Sequence, residues 1–254
     1  MSPPLFRFDS RKLISRAIAA HPDYVSAEPF PHVVFDDFLP PEVIDSVAAE
    51  LPPVPPLPSA DMSPTTVAER EKTANVAPDF FGPHATNLLY QLNSSVFLDF
   101  LQELTGIERL IADTRLDGGG YHLTRRGGRL AIHTDFSHHR TANLRRRLNL
   151  ILYLNKDWQE DYGGHLELWD KGLKAVRRRI LPVANRCVIF NTDRESPHGQ
   201  PEPLNCPPDR GRQSLALYFY DNPTEVVQPI GTRYMMRPSE MNPLKRYAKA
   251  LLRR

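Results

Sequence analysis

A histidine and an aspartate two positions apart carry the clearest chemical signal in the sequence. His133 and Asp135 stand at the end of the apolar run 130–133. On an extended chain, side chains two residues apart point to the same face, so the imidazole and the carboxylate converge. A second histidine would complete a facial triad of two histidines and one carboxylate, which binds a transition metal and leaves coordination positions open for substrates. The motif predicts a catalytic metal site.

His198 is the predicted third ligand. It follows the apolar run 187–190 and a polar turn, and a barrel of antiparallel strands can bring such a strand end beside the first pair. His138 and His139 are alternatives, but their polar loop favours a solvated or substrate-facing role. His165 also precedes an acid by two residues, but it directly follows a Gly-Gly turn, and we interpret it as a surface residue.

Arg212 opens the last apolar run, 213–220, fourteen positions after His198. A guanidinium group can donate two parallel hydrogen bonds to one carboxylate. Alone, this residue could be an ordinary surface arginine. The order of the four residues distinguishes a metal and carboxylate site from chance. His-x-Asp ends one strand, a histidine follows a later strand, and an arginine begins the final strand. That order predicts an iron and 2-oxoglutarate site.

The elements that must position these residues are short strands. From residue 107 onward, apolar runs alternate with turn signals, as in an all-β sandwich or barrel. Glycine clusters mark three of the turns, at 117–120, 126–128 and 162–164. The predicted fold is mainly β with flanking helices around a double-stranded β-helix, the jelly-roll or cupin-like core. Its predicted strands are 110–116, 120–123, 130–133, 148–154, 165–169, 176–181, 186–191 and 213–220.

The remaining segments are predicted to support that core within a single catalytic domain. Residues 1–106 are a mixed support, 107–222 the core and 223–254 an extension ending in a helix at 243–254. The proline-rich stretch 52–64 is interpreted as a loop or flap, with its role as a lid left open. The support is predicted to hold a strand at 32–35 and helices at 13–20, from Pro41 onward and at 85–104.

Composition excludes several classes of protein. Lys and Arg total 32 against 30 for Asp and Glu, a net charge of +2, so global charge gives no reason to expect a nucleic-acid or membrane partner. Two cysteines, Cys187 and Cys206, are too few for a disulfide framework. No signal peptide or membrane-spanning segment is detected, and a cytoplasmic location is expected.

Charge is nevertheless uneven around the metal pair. Asp135 is the only acid in 121–147. The basic residues there have two interpretations, either a solvated rim whose partners lie elsewhere in the fold or an attraction for an anionic substrate. They are Arg125, Arg126, Arg129, Arg140, Arg145, Arg146 and Arg147.

Residues 118–221 resemble the catalytic core of the prolyl 4-hydroxylase-like branch of the 2-oxoglutarate/iron(II) dioxygenase superfamily. The stretch Tyr153-Leu-Asn-Lys-Asp-Trp158, followed by a Gly-Gly pair, is similar to the corresponding stretch of the hypoxia-inducible-factor prolyl hydroxylases. The stretch from Arg212 to Tyr220 resembles the final core strand of many bacterial members. Segment 136–147 matches none of the substrate loops of the human-type enzymes, so the resemblance does not extend to the substrate.

The resemblance implies Fe(II), 2-oxoglutarate and dioxygen, with ascorbate as an optional reductant. Tyr153 would share the distal carboxylate of 2-oxoglutarate with Arg212, and Tyr121 would lie beside its iron-proximal end. Asn149 has the same strand parity as Tyr153 and should face the same pocket. Ordinary core packing is the alternative for such strand residues.

Two further contacts are implied on the same basis. Leu166 would supply an apolar wall of the pocket, and Ser214 would add a hydroxyl near Arg212. The same core-packing alternative applies to both residues.

The leading functional prediction is hydroxylation of an unactivated C–H bond of a small metabolite, such as an amino acid, sugar or natural-product intermediate, with release of succinate and CO2. Peptidyl prolyl hydroxylation is the first alternative. A non-catalytic metal-binding sensor of the cupin type is the second, although Arg212 argues against it. A nucleic-acid demethylase is disfavoured because no ladder of base-stacking aromatic residues is apparent. The sequence gives no prediction for the oligomeric state.

Overall fold

One curled antiparallel sheet forms the centre of the fold. The computed structural model describes residues 4–54, 69–75, 81–224 and 228–240, and for 69–75 it describes the backbone alone. Within these ranges the sheet curls into a half-barrel flanked by four helices, which confirms the predicted mainly β, jelly-roll class. The strands are β1 His32–Phe35, β2 Glu69–Asn75, β3 Ile111–Ala112, β4 Gly120–Thr134, β5 Arg145–Tyr153, β6 Leu166–Trp169, β7 Val176–Ile180, β8 Cys187–Asn191, β9 His198–Gln200, β10 Gly211–Asp221 and β11 Arg233–Tyr234.

The strand order brings distant parts of the chain together. Neighbours run β1-β8-β5-β10-β4-β9-β6-β7, while β2 and β11 pair with β4 and β3 pairs with β10. All of these pairs are antiparallel. The long strand β4 therefore lies between β10 and β9, so one strand contacts both later segments that were predicted to carry site residues.

Four helices cover one face of this sheet. They are α1 Ser10–Ser26, α2 Pro41–Glu50, α3 Pro83–Leu92 and α4 Ser95–Thr105. Asp9 caps α1 by accepting the amides of residues 11 and 12, and Pro41 stands in the first turn of α2, where a missing amide hydrogen costs nothing. Phe97 and Phe100 of α4 are fully buried, and the ring of Phe97 lies 6.2 Å from that of Phe219 on β10. This aromatic contact joins the helical layer to the sheet.

The helical stretch predicted at 85–104 is two helices in the structure. Ser94 interrupts it, because its hydroxyl accepts the amide of Phe97 at 3.3 Å and so begins a new helix. Asn93 ends α3 just before it. The amphipathic periodicity continues across the break, which is why the sequence pattern alone indicated one helix.

Several strand predictions also need correction. The runs 120–123 and 130–133 belong to the single strand β4, because Gly127 takes a positive φ of 75° without reversing the chain. Only Ile111–Ala112 of the run 110–116 is strand, and Leu116 adopts a positive φ of 54°. Strands β2 and β9 were not predicted, since one is polar and the other has only 3 residues.

Two sequence predictions concern residues outside the described ranges. Residues 55–64 of the proposed flap lie beyond the described ranges, and so does the helix predicted at 243–254. In the described part of the chain, no helix has the length and apolar character needed to cross a membrane.

We expect Phe97→Ala to destabilise the protein by about 3–5 kcal/mol, because truncating a buried aromatic side chain leaves a cavity between α4 and the sheet. Chemical denaturation would measure the free energy of unfolding. Tyr90→Ala is the matched control, since that side chain is 71 % exposed. A loss in the Phe97 variant no larger than in the control would contradict the joining role of this contact.

Candidate active site

His133, Asp135 and His198 meet at the junction of β4 and β9. His133 is paired directly with His198 in the antiparallel register, and Asp135 follows the end of β4. One ligand atom from each residue lies within 4.8 Å of the others, and in the described chain they form the one such group of three potential ligands. The Asp135 carboxylate lies 3.6 Å from Nε2 of His133 and 3.4 Å from Nε2 of His198. The predicted triad is assembled.

Backbone carbonyls fix the orientation of both imidazoles. Nδ1 of His133 lies 2.9 Å from the carbonyl oxygen of Ala131, and Nδ1 of His198 lies 2.9 Å from that of Ser196. A carbonyl only accepts, so each Nδ1 carries the hydrogen and donates it. Each Nε2 lone pair is then free and directed towards Asp135, as ligation of a metal requires.

The ionisation states also suit metal binding. Burial lowers the pKa of His198 to about 4, so its ring is neutral near neutral pH. Burial alone would raise the pKa of Asp135, but the charge of Arg146, together with the contacts of His198 and His133, outweighs this effect and holds the pKa well below its ordinary value. The site therefore offers the neutral imidazole of His198 and the carboxylate of Asp135, with His133 as the third donor.

Arg146 and Asn149 on β5 hold the carboxylate from behind. Asn149 donates from Nδ2 to Oδ2 of Asp135 at 2.8 Å, and Nη2 of Arg146 lies 3.2 Å from the same oxygen. Arg146 also donates to Oδ1 of Asn149 from Nε at 3.0 Å, which fixes the amide orientation. Its guanidinium carbon lies 4.3 Å and 3.4 Å from the ring centroids of Phe136 and Tyr218. Asn149 lines the predicted pocket, and its side chain contacts Asp135 and Arg146.

Arg212 lies in the same cavity as the triad. This cavity has a volume of about 270 Å³. Arg212 donates from Nη2 to the hydroxyl of Tyr153 and from Nε to the carbonyl of Gly164, each at 2.9 Å. Because the Tyr153 oxygen accepts from Arg212, its own hydrogen remains for another acceptor. Leu166 and Ser214, which the resemblance implied as further contacts, line the cavity.

Tyr121 is on the wrong face of β4 for the role that the resemblance implied. Its ring packs in the main hydrophobic core with Leu123, whereas the alternate residues His122 and Thr124 line the cavity. Thr124 is paired with Arg212 across β4 and β10. Sequence reasoning missed both residues, because strict alternation counted back from His133 selects odd-numbered positions such as Tyr121, and an irregularity between Leu130 and His133 shifts the pattern.

His138, His139 and His165 lie outside the group of three potential ligands found among the described residues. His139 pairs with Asp113 at 3.5 Å, with its side chain 8 % exposed, and His138 is also buried, with Nδ1 2.8 Å from the hydroxyl of Ser137. The loop that carries these two histidines was expected to be solvated, but both side chains are held by contacts within the fold. His165 pairs with Glu160 at 2.9 Å and is 16 % exposed, so it is less superficial than predicted.

The arginines of segment 125–147 largely have partners within the fold. Arg145 and Arg147 both pair with Asp221, and Arg140 pairs with Asp117. Arg126 donates to the backbone carbonyl of residue 206 at 3.3 Å. These contacts favour the first of the two interpretations of this basic segment, partners elsewhere in the fold.

Comparisons with known proteins agree with this geometry. The model of the 2OG-Fe(II) oxygenase superfamily matches residues 119–220, which contain the triad and Arg212. A prolyl 4-hydroxylase from Pseudomonas putida is similar in structure, with a TM-score of 0.54 and 21% identity over 81% of this chain and 98% of that one. Prolyl 4-hydroxylases from Phytophthora capsici give a TM-score of 0.57 and 18% identity over 100% of this chain and 77% of that one.

A third similar structure contains a bound peptide. It is a prolyl hydroxylase from Trichoplax adhaerens in complex with a peptide fragment of the hypoxia-inducible-factor oxygen degradation domain, with a TM-score of 0.55 and 16% identity over 83% of this chain and 91% of that one. At such identities the likeness shows the fold. The segment matched by the 2OG-Fe(II) oxygenase model is the part of the chain that carries the triad and Arg212, so the chain is similar to that superfamily over residues 119–220.

Proposed function

We propose that His133, Asp135 and His198 bind Fe(II), that Arg212 and Tyr153 bind the distal carboxylate of 2-oxoglutarate, and that the enzyme hydroxylates a C–H bond of a small metabolite. The observation that carries this proposal is the cavity itself. A facial set of metal ligands and a guanidinium group line one enclosure of about 270 Å³. A protein that only bound a metal would have no need of the guanidinium group.

The residues of the cavity fit both Fe(II) and 2-oxoglutarate. Two Nε2 lone pairs and a carboxylate oxygen are the donor set of non-haem Fe(II) oxygenases. At the other end, Arg212 and the free hydrogen of the Tyr153 hydroxyl are donors for a carboxylate, and the buried hydroxyls of Ser214 and Thr124 lie on the same strand pair.

Each part of the chain then has a defined task. Iron and 2-oxoglutarate, when bound, activate dioxygen for insertion into a C–H bond, with release of succinate and CO2. Arg212 and Tyr153 orient the co-substrate. The apolar side chain of Leu166 excludes water from its flank, and the pair Arg146 and Asn149 hold Asp135 in position.

The substrate class is the finer part of the proposal. The cavity of about 270 Å³ is lined in part by the rings of Phe136, Tyr218 and Tyr234, which suits a compact substrate. Peptidyl proline is the second candidate, favoured by the structural similarity to prolyl hydroxylases.

We expect anaerobic addition of Fe(II) and 2-oxoglutarate to produce the weak visible charge-transfer band of the chelate. His198→Ala and Arg212→Ala should each weaken or abolish it, the first by removing a metal ligand and the second by removing the carboxylate partner. His165→Ala and Arg177→Ala are matched controls outside the cavity. If correctly folded wild-type protein gave no band, the sensor interpretation would replace catalysis.

We expect Asn149→Leu to weaken metal affinity by about 10- to 100-fold, because second partners of a ligating carboxylate orient it. Titration with Co(II), followed by its visible spectrum, measures this without turnover. Asn143→Leu, at an exposed position of the 137–143 loop, is the control. Equal Co(II) affinity in the two variants would show that Asn149 does not position Asp135.

We expect succinate release to rise above its substrate-free level with a pool of small metabolites and not with proline-containing peptides. The same assay separates the two candidate substrate classes. Stimulation by the peptides alone would transfer the assignment to peptidyl prolyl hydroxylation.

A further inference from the structure

A second cavity adjoins the metal site. It also has a volume of about 270 Å³, and it shares Asp135 and Phe136 with the first cavity. Its other lining residues include Ser137, Thr192, Arg194 and Arg233. A molecule bound here would lie beside the carboxylate that holds the metal, so the cavity is placed to receive part of the substrate.

Two cations of this cavity lack an acidic partner. In the described part of the chain, neither Arg194 nor Arg233 forms an ion pair, unlike Arg140, Arg145 and Arg147 nearby. The one other acid in the lining, Asp193, uses a carboxylate oxygen to accept the amide of residue 195 at 2.7 Å. The lining therefore contains two guanidinium groups that form no ion pair with a described residue, whereas the arginine-rich segment is largely matched by acids.

A buried hydroxyl in the lining also lacks a partner. Thr192 is 7 % exposed, and within the described ranges its Oγ1 makes no hydrogen bond. A buried polar atom without a partner costs about 1–3 kcal/mol. Thr192 lines this cavity, so a ligand oxygen is one partner that would satisfy its hydroxyl.

The walls of the cavity are held in place. Ser137 donates its amide to the carbonyl of Ile230, and the amide of Ile230 donates back to the Ser137 hydroxyl, each at 2.9 Å. Arg233 is paired with Thr134 across β11 and β4. The hydroxyl of Ser196 accepts the amide of Asp193 at 2.8 Å and closes the turn that carries Arg194. A preformed cavity binds a ligand with little ordering cost.

We propose that this second cavity binds an anionic group of the substrate, a carboxylate or a phosphate, between Arg194 and Arg233. The inference rests on the proposed function and narrows it to substrates that carry such a group. The anion is held on the far side of Asp135 and Phe136, so the rest of the substrate extends across Phe136 towards the metal. Both guanidinium groups match the geometry of a carboxylate or a phosphate.

The test uses the protein loaded anaerobically with Fe(II) and 2-oxoglutarate, so that Arg212 is already occupied. Calorimetric titration with sulfate, a dianion that stands in for phosphate, and separately with acetate is carried out at constant ionic strength. Wild-type protein should bind at least one anion, and Arg194→Gln combined with Arg233→Gln should weaken that binding about ten-fold or more. The anion that binds more tightly indicates which group the substrate carries.

Arg177→Gln is the matched control, because Arg177 is an exposed arginine of β7 that pairs with Asp170 at 3.6 Å. The chelate band reports on the proposed function independently. A normal band with no anion binding in wild type, or with equal binding in the double variant, overturns the anion site and leaves the oxygenase assignment intact. Loss of the band in wild type overturns the proposed function instead.

Discussion

The buried carboxylate of Asp135 is the constraint on which the site depends. A carboxylate taken out of water is costly unless charged and hydrogen-bonding partners surround it. Here Arg146 and Asn149 approach one oxygen from β5, while the two histidines face the carboxylate from β4 and β9. Arg146 is itself only 3 % exposed and lies between two aromatic rings. The same arrangement stabilises the fold and presents a charged ligand to the proposed metal site.

Strand pairing explains why both ends of the cavity exist. The strand β4 carries His133 and pairs on one side with β9, which supplies His198, and on the other with β10, which supplies Arg212. Next to β10, strand β5 contributes Tyr153 at one end and Asn149 towards the metal. The distance between the metal ligands and the guanidinium group is therefore set by backbone hydrogen bonds, which are rigid compared with loops.

Arginine has three different tasks around this centre. Arg146 neutralises a buried acid, and Arg212 donates to a tyrosine and a carbonyl while remaining at the cavity wall. Arg145 and Arg147 share Asp221 and contribute to the structure of the sheet edge. The side chain is the same in each case, so only the contacts of each arginine distinguish its role. The charge available to an incoming ligand cannot be read from the density of basic residues along the chain.

The sequence by itself determined the features that depend on local order. His133, Asp135, His198 and Arg212 were identified from spacing, and the jelly-roll class from alternating apolar runs and turns, because strand periodicity is local. Only the tertiary structure decided that His122 and not Tyr121 faces the cavity, since register irregularities in β4 reset the alternation. The ion-pair partner of each arginine, and the contact between Asn149 and Asp135, also became known only from the tertiary structure. These residues are far apart in sequence, and sheet pairing between distant strands brings them together.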